Sequence, residues 1–585
     1  MISKEKLPKN VKVGSEGFID NNVVLGVMPA NTKDTLTLEI GKNCYIRSGT
    51  VIYAGTKIGD NFQTGHGATI RERCLIGNNV SIGTNAVVER DTIIKDNVRI
   101  HSGAFIPEYA FLDEGAWIGP NVVLTNAPYP TSPYAKSHMM GPKIGKYAKV
   151  GANSTILPYV FVGENSIVGA GSVVVSDVPR NSVVVGNPAR KIKTVHDLKI
   201  PGGLHAYPEL LSANISSPPK LQIPRSYPFI DGEERRAVLE VLASRQFVKG
   251  QKVRLLEEEF AKYCGVKYAI GVNSGTSALL ISLMAIGIKG KEVITPSNSF
   301  LASANAIELA GGKAVFVEPD PKTFTIDVEK IREKITDKTA AIMPVHLYGQ
   351  PADMDKINSL AKEYSLTVIE DACQAHGALY KRKKTGSLGE VGCFSFYPTK
   401  NMMCAGDGGI ITTNNEDIAK CAIMLRDAGR EGNNPDNCSI FGFNMRLGEI
   451  QAVVALAQLK RLDSWNEKRR TFAKIYTEEL SSLVDTPYEA DYAYHIYHLY
   501  TIKTKKRDKL KNFLKERGIE TSVSYSIPLP LTDAYAKKYG YRKGDFQVTE
   551  KLCSEILSLP MFPQLSEEEV RLVCSSIKDF FRDEV

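Results

Sequence analysis

The chain has no apolar run of about 18 residues, the length that a membrane-spanning helix needs. Its opening residues, MISKEKLPKN, lack the apolar core of a signal peptide. Together these absences lead us to expect a cytoplasmic protein with no membrane partner. No Cys-x-x-Cys pair occurs, and the ten cysteines are scattered from Cys44 to Cys574. They read as small buried hydrophobes in a reducing compartment, with no metal centre. Charge of one sign is also scarce: 73 Lys and Arg against 65 Asp and Glu leave +8 over 585 residues. Interspersed basic residues make a mildly basic soluble surface, so no nucleic-acid partner is expected. A chain this long exceeds a single core and should hold at least two domains.

What is present begins with a period. Every sixth residue from Ile40 to Leu124 is Ile, Val or Leu, with Thr64 the one exception. The same spacing links Val13, Ile19 and Leu25, and later Ile144, Val150, Ile156, Val162, Val168 and Val174. Helices and ordinary strands have side-chain periods of 3.6 and 2, so neither produces this. A period of six, often with glycine next as in Ile58-Gly59 and Ile76-Gly77, is a hexapeptide repeat. It predicts a parallel β-helix in which each unit makes a short strand and a turn. Three units close a triangular coil, with the aliphatic pointing inward. Leu124 and Ile144 are 20 residues apart, so the register slips, and the proline-rich segment 125–142 must leave the prism as a loop. Long loops on a rigid scaffold usually carry function.

The repeat ends after Val174. Residues 193–222, with Pro201-Gly202-Gly203 and Ser216-Ser217-Pro218-Pro219, read as a linker. Beyond them, β-rich apolar runs at 291–295, 314–317, 340–345, 366–370, 392–396 and 410–412 are separated by helical stretches such as 277–285 and 303–309. That grammar predicts an α/β domain with a mostly parallel sheet. From about Arg461 the pattern is mixed, with a strand expected at 497–502 and a helix at 508–517.

Three segments of this second half carry chemistry. Asn273-Ser274-Gly275-Thr276-Ser277 is a polar turn opening a helix. It is either an anion site, through free N–H groups and the positive helix end, or a simple cap. In Ile369-Glu370-Asp371-Ala372-Cys373-Gln374, a carboxylate ends a buried strand at the ligand edge of an α/β sheet, or else caps the next helix. In Phe396-Tyr397-Pro398-Thr399-Lys400-Asn401, ahead of Gly406-Asp407-Gly408-Gly409, a lysine sits in a turn just past a buried strand. With Tyr348-Gly349-Gln350-Pro351-Ala352-Asp353-Met354 and Gly442-Phe443-Asn444-Met445-Arg446-Leu447, these segments make residues 223–585 resemble the DegT/DnrJ/EryC1/StrS sugar aminotransferases. Those are pyridoxal 5'-phosphate enzymes of the aspartate aminotransferase type, fold type I. The resemblance implies that Lys400 holds the cofactor as a Schiff base and then shuttles protons. It implies that Asp371 pairs with the pyridinium nitrogen, Gln374 bonds the ring hydroxyl and Phe300 stacks on the ring. Gly275, Thr276 and Ser395 would hold the phosphate, joined by Asn444 from a second subunit, with His498 and Tyr525 at the substrate. Two positions depart from the family pattern: Asp407 stands where Glu is usual, and Ser524 precedes Tyr525 where a His-Tyr pair is common. Relatives that dehydrate deoxy sugars carry His at the position of Lys400, so transamination is expected. The implied substrates are a nucleoside-diphosphate keto sugar and L-glutamate as amino donor.

The first half resembles bacterial hexapeptide acyltransferases, left-handed β-helices that use acetyl-coenzyme A. The runs that carry this, over residues 11–193, include Thr64-Gly65-His66-Gly67, Ile100-His101-Ser102-Gly103, Val122-Val123-Leu124-Thr125-Asn126 and Gly186-Asn187-Pro188-Ala189-Arg190. His101 follows the inward Ile100 and His66 is the second residue after Thr64, so both lie near coil turns. They are candidates for the base and for substrate contact, or else surface histidines. In the galactoside-acetyltransferase branch the base is a His after a Thr-Gly pair at the loop exit. Here that exit reads Thr125-Asn126-Ala127-Pro128, which makes Asn126 a residue to orient the substrate amine. Gly151 and Ala170 are small enough to admit a pantetheine arm, and Arg190 is placed to meet a coenzyme phosphate. A zinc hydratase would need a His-x4-His pair, but Ile106 stands five residues beyond His101.

The expectation is therefore a multidomain chain: β-helix 1–192, linker 193–222, cofactor-binding large α/β domain 223–460 and a smaller C-terminal α+β domain 461–585. It would aminate a keto-deoxysugar nucleotide and N-acetylate the product for a surface polysaccharide. One rival keeps the aminotransferase and makes the β-helix an inert trimerising scaffold. Another makes the second half a cofactor-binding regulator, but no DNA-binding segment supports it. Trimeric prisms joined to cofactor sites built from two subunits imply a homohexamer, a trimer of dimers.

Overall fold

The computed structural model describes residues 7–583 apart from 31, 33–35, 133–134, 200–205, 208–222 and 433–435. The protein divides into two compact units, Met1–Pro218 with Asp231–Leu239, and Pro219–Ile230 with Glu240–Val585.

The first unit is a three-sided parallel β-helix. Successive short strands fall in turn on three sheets of eight, ten and eight strands. Ile76 pairs with Ile94, Ile82 with Ile100 and Val88 with Ile106, so each residue stacks on the one 18 positions later. We call the sheets first, second and third in the order the chain visits them, beginning with Val11–Val13, Phe18–Ile19 and Val24–Val27. The aliphatic every-sixth column is buried from Ile19 to Val174. Thr64 belongs to it as well: its hydroxyl lies 3.0 Å from Thr50 Oγ1 and accepts from Arg47 N at 3.0 Å, so the inward polar group is satisfied. A second buried column, of small residues such as Ala68, Ala86, Ala104, Ala110 and Ala116, lies two positions before each aliphatic. Asn43, Asn61, Asn79 and Asn97 take positive φ at one corner, a conformation Asn tolerates better than most residues. Their amides form a ladder, Nδ2 to Oδ1 at 3.2, 2.8 and 3.1 Å.

The loop leaves where the sequence predicted. After Val123–Leu124 on the third sheet the chain departs, includes a short 3-10 turn at Ala135–His138, and returns as Lys143–Ile144 on the first. A hairpin of Ser182–Gly186 and Ala189–Thr194 follows the last coil on the second sheet. The hairpin and the turn Val195–Asp197 thus occupy the start of the segment expected as linker, most of which lies outside the described residues.

The second unit is built on a seven-stranded sheet. Its order is Tyr268–Val272, Gly409–Thr413, Val391–Ser395, Thr367–Asp371, Thr339–Ile342, Glu292–Pro296, Lys313–Val317. Only Gly409–Thr413 runs antiparallel to its neighbours, as a mostly parallel sheet requires. Helices Gly275–Ala285 and Leu301–Leu309 follow their strands, each starting two residues before the expected stretch. Beyond helix Leu462–Leu480, strands Tyr500–Lys503 and Ile556–Leu559 pair antiparallel beside helices Arg507–Glu516 and Glu567–Asp583. No helix among the described residues is long and apolar enough to cross a membrane.

Candidate functional site

Neighbouring parallel strands end at Asp371 and Ser395, while the helix Gly275–Ala285 begins beside them. Ser274 caps that helix by accepting from Ser277 N at 3.0 Å. The N–H groups of Gly275 and Thr276 have no acceptor among the described residues, leaving two donors at the positive helix end. A Cβ at Gly275 would lie 2.6 Å from Ser395 Cβ and 3.0 Å from Cys373 Sγ. Glycine is therefore what lets the Ser395 hydroxyl stand against the helix start. Gly275, Thr276 and Ser395 do come together, offering two backbone N–H donors and a hydroxyl that accepts from Tyr397 N at 3.4 Å and keeps its own proton to donate.

Asp371 is buried, accepting from Ser303 Oγ at 2.7 Å and from Cys373 N at 3.2 Å. Ser303 is in turn 2.7 Å from Ser299 Oγ. Gln374, also buried, accepts from the N–H of Tyr348 at 2.9 Å and donates to the Tyr525 hydroxyl at 3.1 Å. Both ends of its carboxamide are thus held by fixed partners. Lys400 is pushed below the usual lysine pKa by burial, against the opposing pull of Cys373 and Asp371. A larger share of its amine is therefore neutral at neutral pH. Phe300 is half exposed at the mouth and its ring is 5.8 Å from that of Tyr525. The set suits a group with an anionic end, a ring nitrogen able to carry a proton and a carbonyl within reach of an amine.

Several participants were not read from the sequence. Ser303, three residues after Phe300, is the partner that orients Asp371. Next to Lys400, Asn401 donates to Asn466 Oδ1 at 2.8 Å and to Ile496 O at 3.4 Å. Its Oδ1 must then accept from His498 Nδ1 at 3.1 Å, which fixes the histidine tautomer. His498 is buried, so it meets the lysine turn through Asn401 and does not line open solvent. His376 is buried against Phe394 and Phe396, and burial pushes its pKa down to about 3. Asn444 is exposed and makes an antiparallel bridge with Asp427.

In the β-helix the candidates fall on two corners. His66, His101, Gly151 and Ala170 all follow strands of the second sheet, at its corner with the third. His66 Nδ1 lies 2.8 Å from Ser48 Oγ, and His101 packs on Trp117 with ring centroids 4.7 Å apart. A Cβ at Gly151 would come within 2.5 Å of Ala170 N, so coil stacking alone demands this glycine. Arg190 is exposed on the hairpin. Asn126 follows a strand of the third sheet, at the corner with the first. One prism therefore does not bring His101 and Asn126 together.

Residues 228–578 match the DegT/DnrJ/EryC1/StrS aminotransferase family, and residues 73–108 match the bacterial transferase hexapeptide (six repeats). A pleiotropic regulatory protein of Geobacillus stearothermophilus is 43% identical over 62% of this chain and 98% of its own. A dTDP-3-amino-3,6-dideoxy-α-D-galactopyranose transaminase of Aneurinibacillus thermoaerophilus is 42% identical over 60% of this chain and 95% of its own. The solved structure of NtdA from Bacillus subtilis, with bound cofactor PMP, superposes with a TM-score of 0.57 at 34% identity. It covers 63% of this chain and 85% of that one.

Proposed function

Because the chain belongs to the DegT/DnrJ/EryC1/StrS aminotransferase family, we propose that its second unit aminates a nucleoside-diphosphate keto-deoxysugar with L-glutamate as donor. The first unit then N-acetylates the new amine with acetyl-coenzyme A, in the cytoplasm, on the way to a surface polysaccharide. The observation that carries the first step is the grouping of the Gly275–Ser395 cradle, the buried Asp371 and the amine of Lys400 around one strand edge. Bound there, pyridoxal phosphate supplies an electron sink for the bonds at the amino-bearing carbon. Asp371, held by Ser303, would keep a proton on the ring nitrogen. Lys400, its pKa lowered by burial, would serve as nucleophile and as proton carrier. Gln374 would bond the ring hydroxyl, Phe300 would stack on the ring, and Tyr525 would border the sugar. A nucleoside-diphosphate sugar is the substrate class that relatives such as the Aneurinibacillus transaminase suggest.

For acetyl transfer the support is the hexapeptide match and the placement of His66, His101, Gly151 and Ala170 along one corner. Threefold packing of prisms would set that corner of one copy against the Asn126 corner of the next. With twofold contacts between aminotransferase parts, the smallest closed assembly is a D3 hexamer. The test is incubation of the purified protein with dTDP-, UDP- and GDP-keto sugars, glutamate and acetyl-coenzyme A, followed by mass spectrometry. The reading expects a product carrying both the new nitrogen and an acetyl group. An unacetylated amino sugar as the final product would leave the β-helix as a scaffold.

A further inference from the structure

Asn126 stands at the point where the chain leaves the third sheet for the loop. Its Nδ2 donates to Glu108 Oε2 at 2.8 Å and also faces Glu108 backbone O at 3.4 Å. Both partners are acceptors, so the amide cannot be turned the other way without setting oxygen against oxygen. The second carboxylate oxygen of Glu108 accepts from Arg90 Nε at 3.0 Å. Arg90, Glu108 and Asn126 are each 18 residues apart, so they stack on successive coils as one rigid column. Held this way, Asn126 Oδ1 is turned away from Glu108, and it has no donor among the described residues.

We infer that Glu108, itself held by Arg90, is a positioning residue that presents Asn126 Oδ1 as an acceptor for the N–H of an amino sugar. This rests on the acetyl-transfer reading above. In that reaction the amine nitrogen bonds to the acetyl carbon, the C–S bond breaks, and one amine proton ends on the coenzyme sulfur as a thiol. An acceptor beside the nitrogen holds one N–H while leaving the lone pair free to attack. It also selects by chemistry: the keto precursor has no N–H to offer, so it would leave the oxygen unpaired. The column thus favours binding of the aminated sugar over its keto precursor.

The polarity of the pair gives the test. Asn126→Asp sets two carboxylates against each other. Adding Glu108→Gln restores the shorter, side-chain donor–acceptor pair with its direction reversed, leaving only the 3.4 Å contact with Glu108 backbone O unfavourable. The carbonyl oxygen of the new amide still accepts from Arg90, and an acceptor oxygen still faces the sugar. With full-length protein we expect Asn126→Asp and Glu108→Leu to raise the KM for an amino nucleotide sugar about tenfold or more. The double variant should recover most of that loss. The dissociation constant for acetyl-coenzyme A, from calorimetry, should be unchanged in all. A double variant no better than Asn126→Asp, or Glu108→Leu with the unsubstituted KM, overturns the positioning role alone. If the unsubstituted chain acetylates no amino sugar, the acetyl-transfer reading fails and takes this role with it.

Discussion

Gly275→Ala is the sharpest perturbation of the phosphate cradle. The new methyl would lie 2.6 Å from Ser395 Cβ, 3.0 Å from Cys373 Sγ and 3.2 Å from Ser395 Oγ. Carbon atoms pack at about 3.5–4.0 Å, so something must move. Ser395 cannot retreat easily, because its strand is paired on both sides, with Thr367–Asp371 and with Gly409–Thr413. Overpacking of this kind costs about 1–3 kcal/mol. Gly275 is not in the left-handed region, so alanine fits the backbone and returns about 0.5–1 kcal/mol of helix propensity. The net loss of stability is therefore small, from about zero to about 2.5 kcal/mol by the same terms. The larger effect falls on the ligand, since the methyl fills the space between two free N–H groups and the Ser395 hydroxyl. A tenfold to hundredfold weaker dissociation constant for pyridoxal phosphate, about 1.4–2.8 kcal/mol, is expected. Titration of the apoprotein by visible absorbance reads the affinity, and thermal melting without cofactor reads the stability. Ser395→Gly added to Gly275→Ala should remove the contacts with Ser395, leave that with Cys373 Sγ and recover part of the lost melting temperature, while affinity stays low because the hydroxyl is gone. Unsubstituted cofactor affinity in Gly275→Ala would refute the cradle.

Lys400→Ala should abolish transamination and the borohydride-fixed cofactor adduct, yet leave acetylation of a supplied amino sugar near normal; a persisting adduct would place the reactive amine elsewhere. Acid should destabilise the aminotransferase unit through its buried histidines. Burial holds His376 and His495 down at about 3 and His498 well below its usual value. The unfolded chain therefore binds more protons as pH falls below about 6.5, and stability drops by up to about 1.4 kcal/mol per pH unit for each histidine. Urea melts at several pH values down to about 4 should show this slope, with His376→Asn reducing it by about a third; an unchanged slope would mean that His376 titrates normally. Light scattering should report about six chains per particle, and a clean dimer would remove the inter-prism acetylation site.

Much of the fold was legible because its causes are local or periodic. An inward aliphatic every six residues is a geometric requirement of a closed coil, and even Thr64 kept its place once Thr50 supplied a hydroxyl partner. The small-residue column at Ala68, Ala86 and Ala104 follows from the same closure, but mixed Ala, Thr, Cys and Val hide its period. Around Lys400, the candidate residues lie in contiguous motifs at strand ends, and the structure gathers them at one edge of the sheet. Their supports could not be read from the sequence. Ser303 reaches Asp371 across 68 positions, and Asn401 reaches Asn466 across 65, pairings that no spacing rule foretells.

The acetylation site was harder to read for a different reason. The sequence nominates His101 by its closeness to a coil turn and Asn126 by its place at the loop exit, and in a solenoid every sixth residue is close to a turn. Which turn matters depends on the corner, and the corner depends on counting strands by threes from the first coil. His101 closes a strand of the second sheet and Asn126 closes one of the third, so the two nominations belong to different edges of the prism. What distinguishes Asn126 is the column beneath it. An amide above a carboxylate that is itself clamped by a guanidinium has only one orientation, and orientation is what an amine-recognising oxygen needs. His101 packs on Trp117, and its Nε2 has no hydrogen-bond partner among the described residues, so it suits a packing role as readily as that of a base. The physical case for function at the first unit therefore runs through Asn126 and Glu108 before it runs through His101.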